Sequence, residues 1–225
     1  LQTPWTEGMN FRNLEDNGFI KFDFLGLTLL KDVENCIRRV LTRETGSEPT
    51  FIEIRDWFDA HLNCRFVEQD DDKVWQHVYH QRRKVGIFQF TAEGARRFCE
   101  DAKPTAIIEL AALTAIYRPG PLRANVHKKY VKDKARADKI EYAHPIIKEI
   151  LGPTFGHVTF QEQFMLLAQK LGGFTPAESD KLRKTLVKKS LDTMGNKGGE
   201  REEARLRFVS GAKEINGVPE HVSQE

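Results

Sequence analysis

Cysteine is scarce. The 225-residue chain holds three, Cys36, Cys64 and Cys99. They are too few and too scattered for a disulfide framework, which excludes covalent staples as the source of stability and favours a reducing cytoplasm. Long apolar runs are missing too. No stretch nears the roughly 18 residues of a spanning helix, so no membrane partner is expected, and Leu1–Trp5 has neither the basic nor the apolar region of a signal peptide. The first residue is Leu rather than Met, which reads as a piece of a longer polypeptide. Charge of one sign is lacking: 35 Lys and Arg face 33 Asp and Glu, a net charge of +2, and the total does not indicate a uniformly basic nucleic-acid binder. Also absent are a Walker loop, a His-Glu-x-x-His pair and a serine-hydrolase elbow. With 40% hydrophobic and 30% charged residues, the composition is that of a globular chain able to bury a core.

The balance of charge hides an uneven distribution. From Arg118 to Lys139, eight Lys and Arg stand against two acids, Asp133 and Asp138, whereas Glu53 to Lys73 is rich in Asp and Glu. A polyanion is therefore expected on the second half. Periodicity gives the elements. Residues Phe19 to Leu25 alternate in polarity and predict a β-strand, and Leu30, Val33, Ile37, Val40 and Leu41 predict a helix over Thr28 to Arg43. Gly46 to Pro49 is a turn and Phe51 to Leu62 a second helix. From Val74 onward helical patterns dominate, with one helix ending before Tyr117 at the Pro119-Gly120-Pro121 break and another over Gln161 to Leu171. A capping box with Pro at the first helical position, Thr175-Pro176-Ala177-Glu178, opens a helix over Thr175 to Lys189.

Four constellations could carry chemistry. In Lys21-Phe22-Asp23 the two-residue period sends an ammonium and a carboxylate to one face, a pairing suited to a hydrated divalent cation and its phosphate, or simply to a solvated strand face. On the helix from Thr175, Lys181, Arg183, Lys184, Lys188 and Lys189 occur without an acid among them, over an apolar side of Leu182 and Leu186. Tyr117 and Arg118 precede a rigid turn, a placement that suits stacking or phosphate recognition, and the basic run follows directly. The spacing of His61, Cys64, His77 and His80 approximates that of zinc ligands, but its first ligand, short last gap and acidic middle argue against zinc.

The string Lys21 to Leu27 (KFDFLGL) resembles the palm motif of C-family bacterial replicative DNA polymerases, the alpha subunit of DNA polymerase III. Gly86 to Phe90 (GIFQF), Tyr117 to Leu122 (YRPGPL), Phe160 to Gln163 (FQEQ) and Lys181 to Lys184 (KLRK) follow in family order. The resemblance implies a mainly α (α+β) chain, with the end of the palm and its catalytic strand in residues 1–28 and a fingers domain over 29–225. It implies a DNA-directed DNA polymerase that transfers nucleotides from dNTPs to a primer 3′-hydroxyl by two-metal catalysis. Asp23 becomes the catalytic residue and a ligand of Mg2+, the other two palm aspartates lying upstream. Lys21, Arg183, Lys184, Tyr117 and Arg118 become nucleotide-binding residues, and Arg123, Lys128, Lys129, Lys132 and Lys188 the DNA track. Where the family has an Arg-Arg pair this chain has Arg183-Lys184, a fork followed by a point charge. Primer-template DNA, dNTP, the remainder of the polymerase chain, a sliding clamp and other replisome subunits are the implied partners. The isolated piece is expected to be inactive. A non-catalytic nucleic-acid-binding module of fingers-like fold is the alternative.

Overall fold

The computed structural model describes residues 18–20, 22, 24–81, 83, 86–187 and 197–223. The chain divides into two units, Leu1–Val67 and Glu68–Glu225, and among the described residues the regular structure is helical throughout.

The first unit is a helical pair. Helix α1 (Thr28–Thr45) ends at Gly46, whose φ of 74° lets its N–H turn back to the Thr42 carbonyl. Helix α2 (Phe51–His61) opens with a reciprocal cap: the Glu53 N–H donates to Thr50 Oγ1, and the Thr50 N–H donates to Glu53 Oε2 at 2.7 Å. Ile37 and Ile54 are the side chains these helices bury. The strand expected over Phe19 to Leu25 does not occur among the described residues. A strand persists only when its N–H and C=O groups pair with a neighbour, and no extended neighbour is present among the described residues. Phe24 and Leu25 accordingly stand 90% and 88% exposed. The fold class is thus mainly α, and the expected β component is not found among the described residues.

In the second unit a short helical turn, α3 (Asp72–Val74), runs into a π-type turn over Trp75–Tyr79. Helices α4 (Glu93–Ala102), α5 (Ile107–Ile116), α6 (Pro119–Arg123) and α7 (Val126–Lys134) follow. Phe98 and Cys99 from α4, Ala112, Leu113 and Ile116 from α5, and Tyr130 from α7 form one buried cluster with Phe90. A nearly buried ion pair closes its edge: Lys134 Nζ lies 2.6 Å from Glu109 Oε2 and donates to the Lys103 carbonyl, while the Thr105 N–H donates to the same carboxylate. Pro119 does stop α5, but it then occupies the first position of α6, where its missing N–H has no partner to lose.

The remaining helices are α8 (Pro145–Leu151), α9 (Gln161–Lys170), α10 (Pro176–Val187), α11 (Lys197–Asn216) and α12 (Glu220–Ser223). The cap expected at Thr175 is present. Both the N–H and the hydroxyl of Thr175 donate to Glu178 Oε2, and the Glu178 N–H donates back to Thr175 Oγ1. These bonds, with Arg207 at 2.9 Å, hold the Glu178 carboxyl down at about 2. Helix α11 crosses the turn after α9 so closely that a Cβ on Gly211 would collide with the Gly172 carbonyl. Asn216 Nδ2 donates to the Lys170 and Leu171 carbonyls, satisfying the end of α9.

Two outcomes follow from these contacts. Gly211→Ala is expected to lower stability by about 1–3 kcal/mol in urea denaturation, because backbone must move. Gly199→Ala on the same helix, where a Cβ meets open space, should raise it by about 0.5–1 kcal/mol. Equal effects would contradict the close crossing. The Glu178 carboxyl is depressed in the folded state, so its contribution is complete above the ordinary value of 4.5 and is lost as pH falls toward about 2. Acid titration of the melting temperature should therefore be shallower in Glu178→Gln than in the wild type over that window.

Candidate nucleotide and nucleic-acid surface

Helix α10 presents Arg183 and Lys184 because Leu182 turns inward beside Ala168 and Phe174. Both cations converge on one acid. Arg183 donates from Nε (3.0 Å) and Nη2 (2.7 Å) to Asp180 Oδ1, and Lys184 Nζ lies 2.8 Å from Asp180 Oδ2. Lys184 and then Arg183 hold the Asp180 carboxyl below the usual aspartate range. A third contact comes from α9, where Gln161 Oε1 accepts from Arg183 Nη1 at 3.0 Å. A guanidinium carries five N–H bonds; these contacts engage three, and among the described residues no partner takes the remaining one on each terminal nitrogen. Two cations against one carboxylate leave net positive charge, which suits a phosphate oxygen.

The FQEQ segment contributes more than Gln161. Its second glutamine, Gln163, is buried, and its Oε1 accepts from the Thr159 and Phe160 N–H groups at the start of α9. Its Nε2 donates to Thr154 Oγ1 at 2.7 Å and to the Ile150 carbonyl at 3.1 Å. With both ends of the amide satisfied, the first turn of α9 is fixed to the end of α8. Helices α9 and α10 are in turn joined where Gln169 Nε2 donates to the buried Ser179 hydroxyl.

Tyr117 and Arg118 lie between α5 and α6. The Tyr117 ring stacks on Phe98 at a centroid separation of 6.4 Å, and its hydroxyl sits where a Cβ on residue 94 would be, so a side chain there would have to push the Tyr117 ring aside. Gln89, Phe98, Thr114, Tyr117 and Arg118 border a cavity of about 370 Å³. Gln89, from the GIFQF segment, has a φ of 64°, a left-handed conformation that side chains rarely adopt. The structure thus brings GIFQF to the YRPGPL residues, a meeting that sequence order did not reveal.

On α7, Tyr130 faces the core while Lys128, Lys129 and Lys132 are exposed. Arg123 is also exposed, with its Nε donating to the Pro119 carbonyl. Lys134 is the member of the basic run that the fold uses internally. Lys21, Asp23 and Lys188 lie outside the described residues. Of the zinc-like spacing, His61 Nδ1 is bonded to the Trp57 carbonyl and His80 Nε2 to the Pro104 carbonyl. Among the described residues no three His, Cys, Asp or Glu side chains gather as a metal site. Nor is any helix there long and apolar enough to cross a membrane.

Known proteins match this chain over nearly its whole length. Residues 35–215 match the family model described as the bacterial DNA polymerase III alpha subunit finger domain. The DNA polymerase III subunit alpha of Borreliella burgdorferi is 34% identical over 215 residues, covering 94% of this chain and 16% of the relative. That of Aquifex aeolicus is 32% identical over 207 residues, 92% of this chain and 16% of the relative. The Halalkalibacterium halodurans protein is 32% identical over 211 residues, 94% and 17%. The chain therefore spans about one sixth of the length of the relatives it matches. On the match across residues 35–215, this chain belongs to the family of bacterial DNA polymerase III alpha subunit finger domains.

Proposed function

We propose that this chain is the end of the palm, residues 1–28, followed by the fingers of a bacterial replicative DNA polymerase, and that it acts within the longer polypeptide in template-directed nucleotidyl transfer. The carrying observation is the Arg183–Lys184 pair, anchored on Asp180, with two guanidinium N–H groups that no described residue takes up. Such a fork and adjacent ammonium would meet the triphosphate of an incoming dNTP. They would compensate the negative charge of the bound triphosphate while the primer 3′-hydroxyl attacks the α-phosphate and pyrophosphate departs. Tyr117 and Arg118, on the rim of their cavity, would lie near the nucleotide or the template.

DNA would run along α7, where Lys128, Lys129 and Lys132 share the exposed side, with Arg123 on α6 and Lys188 beyond α10 extending the track. Lys21 would contact the incoming phosphate and Asp23 would serve as one carboxylate of a Mg2+ site completed by the rest of the polypeptide. The described residues supply no such ligand set, so no step through the metal is derived from them. A cytoplasmic location and the clamp and other replisome subunits as partners belong to the same reading.

Two outcomes test it. In the full-length subunit, Asp23→Ala should abolish primer extension, with primer-template affinity and melting temperature kept; normal turnover contradicts the role, as would extension by residues 1–225 alone. Replacing Lys128, Lys129 and Lys132 with Glu should weaken binding equally to two DNA duplexes of unrelated sequence. The slope of log affinity against log salt should shrink by roughly 2–3. Unchanged affinity would show that α7 is not the DNA track.

A further inference from the structure

Arg183 is held in an unusual way. An arginine side edge commonly meets both oxygens of a carboxylate, but here Nε and Nη2 both reach Asp180 Oδ1, while Oδ2 is engaged by Lys184. One acceptor atom is a pivot. About it the guanidinium plane can swing, and with it the two N–H groups that face outward. A second fixed point is needed to define the orientation, and Gln161 Oε1, on Nη1, supplies it.

That second point is itself rigidly mounted. Gln161 is the first residue of α9, the turn pinned by the buried Gln163 amide to Thr154 and Ile150. The side chain of Gln161 is solvent-exposed, and its hydrogen bond among the described residues is the one to Arg183. It fills no core and caps no helix, so the fold gives it no other task.

We infer that Gln161 is a positioning residue, which fixes the plane of the Arg183 guanidinium so that its two remaining N–H groups are presented together to a triphosphate. The inference rests on the reading of Arg183 as a triphosphate contact. Preorganising a bidentate donor spares the reorientation that binding would otherwise require, and the benefit falls on nucleotide affinity rather than on the chemical step.

The test is single-nucleotide primer extension by the full-length subunit, with KM for dNTP, kcat and primer-template affinity measured separately. The variants are Gln161→Met, which keeps length and helix propensity but removes the acceptor, Gln161→Ala, Arg183→Ala and the double variant Gln161→Ala/Arg183→Ala. Both Gln161 variants should raise KM about fivefold, the effect of one lost hydrogen bond. Meanwhile kcat, DNA affinity and melting temperature should stay near wild type. In the Arg183→Ala background, Gln161→Ala should add nothing. If Arg183→Ala raises KM while Gln161→Met does not, or if the two effects multiply in the double variant, the positioning role is overturned and the nucleotide reading stands. If Arg183→Ala leaves KM unchanged, both are overturned.

Discussion

One carboxylate, that of Asp180, carries two cations, and the candidate site depends on that arrangement. Unpaired, Arg183 and Lys184 would be flexible neighbours on successive positions of a helix, repelling each other. Joined through Asp180 they become a single preorganised cationic surface with net positive charge. The acid is itself exposed enough that water weakens each bond, so the gain lies in orientation rather than in stability.

The surrounding fold serves that orientation in layers. The reciprocal cap between Thr175 and Glu178 fixes where α10 begins, and the inward turn of Leu182 fixes which way it faces. Gln169 joins α9 to α10, and Gln163 joins α9 to the end of α8. Helix α11 closes over the back of this pair through its glycine crossing and the Asn216 cap. The Gln163 and Asn216 amides also satisfy backbone groups that helix ends leave open, so at those two points capping and tertiary placement are the same contacts.

Sequence patterns revealed the helices well because caps and breakers act over three or four residues. Gly46, Thr175-Pro176 and Pro119 are such signals, and each structure boundary follows from the residue that sets it. Pairing at a distance was not legible. Phe19 to Leu25 alternates as a strand should, yet periodicity carries no information about a partner, and none is found among the described residues. Arg183 and Lys184 were visible as a one-signed cluster starting at Lys181, a window that begins one residue after the acid that holds them. Gln161 and Arg183 are 22 residues apart and on different helices. Lys134 counts toward the basic run in sequence but is spent on Glu109 in the structure. Within FQEQ, motif matching gave the segment and not the division of labour, one glutamine buried as a brace and the other reaching an arginine.

The most direct measurement is a crystal structure of the full-length subunit with primer-template and an incoming dNTP. Triphosphate oxygens are expected against the two outward N–H groups of Arg183, with Lys184 beside them and the bonds to Asp180 and Gln161 still in place. A nucleotide bound away from α10, or a guanidinium that has left Asp180 and Gln161 to reach it, would contradict the claim that this surface is built in advance for its ligand.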